Sequence, residues 1–126
     1  MDETISTYTR AQAIEDGLLF DVSATAREAG FVYPVAVSSA LWHDYITPPE
    51  GLVGQDADGR LWDVLTMLKV ATKQIPSYEP GNVVTFSTLF LMKPRRLEKV
   101  RLRSLCHPGD NREPVIAIFL EREDPS

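Results

Sequence analysis

Cysteine is all but missing. Cys106 is the single cysteine among 126 residues, so no disulfide can close within the chain. That usage fits a reducing compartment, and we expect a cytoplasmic protein. Long apolar runs are missing too. None approaches the ~18 residues needed to cross a bilayer, so no membrane partner is expected. The opening residues, MDETISTYTR, carry acids where a secretory signal needs bases, and no apolar stretch follows them. Histidine is limited to His43 and His107, which leaves too few ligands for an ordinary zinc site. No glycine-rich phosphate loop, nucleophile elbow or HExxH pattern is present. We therefore expect no metal and no cofactor, and an enzyme ranks below a binding protein.

The remaining composition is that of an ordinary globular chain. Hydrophobic residues make up 44% and charged residues 25%, which excludes disorder and a collagen-like repeat. The length suits one domain spanning residues 1–126. Net charge is −5 but unevenly placed. Residues 1–60 hold 10 acids and 3 bases, whereas residues 61–126 hold 8 acids and 10 bases. Within residues 93–103 lie six bases, Lys93, Arg95, Arg96, Lys99, Arg101 and Arg103, against the one acid Glu98. Such a strip steers phosphate or an acidic surface, while the net negative charge opposes indiscriminate nucleic-acid binding.

Helix signals come first along the chain. Thr9 followed by Gln12 is a capping box, and Gly17 is placed to end the short helix behind it. Residues 18–22 form a short apolar run and read as a buried extended segment. Ser23 or Thr25 suits the cap of a second short helix that Gly30 stops. Residues 32–37 are β-branched but interrupted by Pro34, which predicts an edge strand at best. Ser38 or Ser39 is placed to cap a third helix over 40–46, on which Trp42 and Tyr45 at i, i+3 are expected to pack together. Prolines 48 and 49 forbid its continuation. Residues 47–59 form a loop, with Asp58 the expected cap of the helix that follows. Leu61, Val64, Leu65 and Leu68 then repeat at the spacing of one helical face, predicting a long amphipathic helix over 59–75. Strands are predicted over 83–92, 97–106 and 115–120. In the second of these, Val100 and Leu102 alternate with Lys99, Arg101 and Arg103, the pattern of a half-buried strand with a basic outer face. Helices early and strands late predict an α+β fold. Short N-terminal helices and one long amphipathic helix would pack on a small antiparallel sheet of three or more strands.

Four stretches carry a resemblance. They are residues 8–22 (YTRAQAIEDGLLFDV), 26–35 (AREAGFVYPV), 59–65 (GRLWDVL) and 108–120 (PGDNREPVIAIFL). Together they resemble an uncharacterised family of small bacterial proteins, a domain of unknown function often met on plasmids, conjugative elements and phages. The resemblance implies an accessory protein of a mobile element and carries over no catalytic residue.

Several other groupings read more simply as structure. Asp56, Asp58 and Gly59 hint at a calcium loop, but position 67 is Met where an EF-hand needs its closing Glu. Cys106 and His107 are neighbours on a strand and point to opposite faces, so they do not share a metal. Trp62 lies off the leucine face of the long helix and is an interaction anchor if exposed. The expected binding residues are thus Arg95, Arg96, Lys99, Arg101 and Arg103, together with Trp62. The expected function is non-enzymatic: binding a host protein or protein–nucleic-acid complex, with inhibition of host defence one fitting outcome. The alternatives are a nucleic-acid-binding regulator using the basic ribbon 93–103 and a small enzyme of unknown reaction. A salt-sensitive homodimer, in which the acidic part of one copy meets the basic strip of another, is left open.

Overall fold

The computed structural model describes residues 9–123. Helix α1 (Arg10–Glu15) opens on the expected capping box: the Thr9 side chain accepts from the Gln12 N–H, and the Gln12 side chain accepts from the Thr9 N–H at 3.0 Å. Gly17, at φ 79°, turns the chain out of it into β1 (Leu19–Asp21). Helix α2 (Ser23–Glu28) follows without a side-chain cap. Ser23 is otherwise engaged. Its Oγ donates to Asp21 at 2.6 Å and accepts the Val35 N–H at 3.0 Å, tying the helix start to strand β2 (Val35–Ser38).

Strand β2 corrects the edge-strand expectation. It lies between β1 and β5 (Pro114–Leu120), and all four of its residues are buried. Pro34 sits just outside the strand, so its missing N–H breaks no ladder bond, while its carbonyl accepts from Ile116 at 2.8 Å. The β2–β5 pair is parallel and the other pairs are antiparallel. The sheet is therefore mixed, with five strands in the order β1-β2-β5-β4-β3, rather than purely antiparallel. Strands β3 (Val83–Lys93) and β4 (Arg96–Pro108) form a long hairpin, with Arg95 in the left-handed region at its tip (φ 61°). The fold is α+β.

Between β2 and the long helix, Ser38 caps a three-residue turn, α3 (Ser39–Leu41), by accepting from the Leu41 N–H. The turn then loosens into a π-type turn over Trp42–Ile46, closed by Thr47 N–H to the Trp42 carbonyl at 2.7 Å. The wider turn carries Trp42 and Tyr45 to different neighbours instead of packing them together. Trp42 stacks on Phe20 (centroids 5.2 Å) and Tyr45 tilts against Phe90 (5.3 Å).

Helix α4 (Ala57–Thr72) starts two residues earlier than expected. Its cap is Asp56, which accepts from the Gly59 N–H at 2.7 Å, and not Asp58. Its predicted face holds: Leu61, Val64, Leu65 and Leu68 are buried against the sheet. The facing layer is Val35, Val37, Val84, Phe86, Phe90, Val100, Leu102, Cys106, Ile116, Ile118 and Leu120. Arg60 is buried within this layer. Its Nε donates to the Tyr45 carbonyl (2.8 Å), and its Nη1 donates to the Leu91 carbonyl (2.8 Å) and to Gln55 Oε1 (2.9 Å). Its guanidinium lies 5.2 Å over the Phe90 ring. Burial pulls its pKa down from the ordinary arginine value, and nearby Asp63 opposes that pull.

Candidate binding face

Alternation along β4 sets the geometry of the basic strip. Val100, Leu102, Ser104 and Cys106 point into the core. Lys99, Arg101 and Arg103 therefore share the outer face. Cross-strand pairing on β3 sets Leu89 beside Lys99, Ser87 beside Arg101 and Thr85 beside Arg103. On the β3 side the cationic row is thus flanked by aliphatic and hydroxyl side chains, and on the β5 side half-buried Phe119 stands beside Arg103 and Glu121 beside Arg101. Leu89 is 55% exposed and Leu97, on β4 itself, is 60% exposed.

One half of the outer face is covered. Helix α1 lies over it, with Ala13 buried and Arg10 Nη1 donating to the Ile116 carbonyl at 3.4 Å. Asp110 in the β4–β5 loop accepts from the N–H groups of Arg10 (2.9 Å) and Ala11 (3.0 Å), fixing that helix over the β5 side. Val115 and Ala117 on the outer face of β5 are buried, and Phe119 on the same face is half-buried. The α1 segment also reaches the far end of β4, where Leu105 and His107 line a cleft with Thr9, Arg10 and Ala13. Over residues 99–103 of β4 and the facing part of β3, the outer face has no covering helix among the described residues.

Internal neutralisation of the strip is slight. Arg101 pairs with Glu121 at 3.5 Å, with both side chains about half exposed, and such a pair contributes at most about 1 kcal/mol. Glu98, the one acid in the strip, accepts from the Tyr45 hydroxyl at 3.0 Å on the core side of the sheet. Burial, with that hydrogen bond second, raises the Tyr45 pKa. Arg95 and Arg96 occupy the exposed hairpin end. By alternation Arg96 shares its face with Glu98 and not with Lys99. Trp62 is 41% exposed, but it belongs to α4, the layer on the opposite side of the sheet. The structure therefore brings Lys99, Arg101 and Arg103 together, sets Arg95 and Arg96 at the end of their row, and leaves Trp62 apart.

The remaining chemistry-bearing residues are dispersed. Cys106 is fully buried, and burial, aided by Glu79, pushes its thiol pKa up, away from the reactive thiolate. His107 is on the other face, its Nδ1 2.9 Å from the Pro108 carbonyl. His43 meets the edge of the Phe20 ring, and Asp44 is paired with Arg122 at 2.9 Å. Among the described residues, no three His, Cys, Asp or Glu side chains gather in a way that could hold a metal ion. No helix among them is long and apolar enough to cross a membrane.

A family model described as a family of unknown function (DUF6573) matches residues 1–124. The chain belongs to this family. No curated protein and no solved structure matches it. The DUF6573 match takes in every element of the sheet, the α1 cover and the basic hairpin. Sequence reasoning missed two features of this DUF6573 chain: the buried Arg60 and the half-covered outer face. The first left a signal, because Arg60 stands on the apolar stripe four residues before Val64. The second left none, since a six-residue helix does not declare which sheet face it covers.

Proposed function

We propose that this protein is a binding module that meets an acidic protein surface with the outer face of its β3–β4 hairpin. The observation behind this reading is the uncovered row of Lys99, Arg101 and Arg103, with exposed Leu89 and Leu97 at its Lys99 end and Phe119 beside Arg103. Arginine beside apolar surface is the composition of protein interfaces. Its planar fork also grips carboxylates in two-pronged fashion. The protein is net acidic, and beside the row half-buried Phe119 next to Arg103 is a single ring where a base-stacking platform uses several, so nucleic-acid binding ranks second. The setting we propose is that of an accessory protein of a bacterial mobile element. The partner would be a host protein, alone or within a nucleic-acid complex, and inhibition of a host defence suits that setting.

Charge reversal tests the face without touching the core. The double variant Arg101→Glu, Arg103→Glu loses one weak surface pair, so its circular dichroism and melting should stay close to those of the parent. Capture of the partner from host lysate should fall at least about tenfold, equivalent to about 1.4 kcal/mol of binding. Undiminished capture by the folded variant contradicts the reading. Parent capture that nuclease abolishes moves the assignment to nucleic acid.

A further inference from the structure

Strand β3 ends the sheet, and among the described residues nothing pairs with its outer edge. It is eleven residues long, about 36 Å at ~3.3 Å per residue. From Val83 to Met92 it carries no charge, no proline and no glycine. Exposed edges are normally blunted by lysine, proline or a bulge, and long uncharged ones are templates for pairing. The register irregularity in β3 lies only at its far end, between Leu91 and Lys93.

The helix above this edge is also unfinished. Asp63, Thr66, Met67 and Val70 follow i, i+3, i+4, i+7 spacing and make one stripe of α4. Met67 is 40% exposed and Val70 49% exposed. Asp63, Thr66 and Met67 line a cleft of about 470 Å³ with Ser87, Thr88, Leu89 and Lys99. Thr88 is 98% buried, and its Oγ1 has no hydrogen-bond partner among the described residues.

We propose that a second copy of this chain docks here, with β3 pairing antiparallel to β3 of the partner about a twofold axis perpendicular to the sheet. An added peptide strand would satisfy the edge but leave the helical stripe uncovered. An identical copy matches both layers at once, sheet continuing into sheet and α4 packing beside α4. Centring the axis on Ser87 sets Thr85 opposite the partner copy's Leu89 and Val83 opposite its Leu91. Small or branched residues then meet large ones, and no like charges meet along the strand. The cleft rim is self-complementary too, since Asp63 and Lys99 offer one charge of each sign to an identical rim. In this assembly the outer faces of both copies lie on the same side of a ten-stranded sheet. Their basic rows run about 14 Å apart, three strand spacings. The inference stands on the edge and the stripe and does not depend on what the basic face binds.

Sedimentation of the full chain tests it, at low and high salt. A dimer at micromolar concentration that persists in high salt is expected, because the contact is mostly backbone hydrogen bonds and apolar surface. Met67→Lys should weaken it at least about tenfold. That helix should stay folded, since the new cation gains Asp63 as an i, i+4 partner. Ser87→Cys supplies a second readout: mild oxidation with diamide should give a covalent homodimer, while buried Cys106 stays silent. A monomer at both salt concentrations, a dimer that high salt dissolves, a dimer indifferent to Met67→Lys, or no cross-link through position 87 would each overturn the proposal.

Discussion

Replacing Arg60 with alanine should lower the unfolding free energy by about 3–4 kcal/mol, more than any surface change in this protein. Arg60 is 3% exposed, and its guanidinium holds three separate pieces of chain. It donates to the Tyr45 carbonyl in the π-type turn, to Gln55 in the loop before α4, and to the Leu91 carbonyl near the hairpin end. Alanine leaves two part-buried carbonyls without donors, at roughly 1–2 kcal/mol each, and withdraws the side-chain stem from the Phe90 ring. Arg60→Lys should recover only part of the loss, because one ammonium does not reproduce a fork that reaches three acceptors. Urea melts of the two variants decide the matter. A loss under about 1 kcal/mol for Arg60→Ala would mean that water replaces the guanidinium without penalty and that the site is not closed.

The second large effect belongs to Leu65, which is fully buried at the middle of the α4 face. Leu65→Ala should cost about 2–5 kcal/mol, the sum of lost burial and the cavity left between helix and sheet. The upper part of that range is expected here, because a five-stranded sheet on one side and a sixteen-residue helix on the other have little freedom to collapse inward. Met67→Ala on the same helix should cost far less, since Met67 is 40% exposed. Equal losses at both positions would place the helix in the wrong register.

The elements most legible in the sequence are those long enough to repeat. Leu61, Val64, Leu65 and Leu68 announce α4 through four matched positions. The alternation of Val100 and Leu102 with Lys99, Arg101 and Arg103 announces both β4 and its basic face. Strands β1 and β2, at three and four residues, are too short to show a period. The place of β2 beside β5 is decided by pairing across some eighty residues, which no local pattern encodes, and β1 is in the sheet only through β2. Pro34 misled for a similar reason: a proline one residue outside a strand looks like one inside it until the register is known. The π-type turn at Trp42–Ile46 hides as well, because local spacing alone reads as an ordinary helix. Of the candidate site, the row on β4 was legible. What makes it a surface, namely the bare outer face of the hairpin beside the covered face of β5, depends on where α1 comes to rest.

Lysine labelling of the captured complex addresses the basic face most directly. Amine acetylation read by mass spectrometry compares each lysine in the free and partner-bound protein. Lys99 stands in the row and Lys93 at the hairpin end, while Lys73 follows the C-terminus of α4 on the other side of the sheet. Partner binding should slow labelling of Lys99 several-fold, slow Lys93 less, and leave Lys73 unchanged. Protection of Lys73 with Lys99 labelled as fast as in the free protein would contradict it.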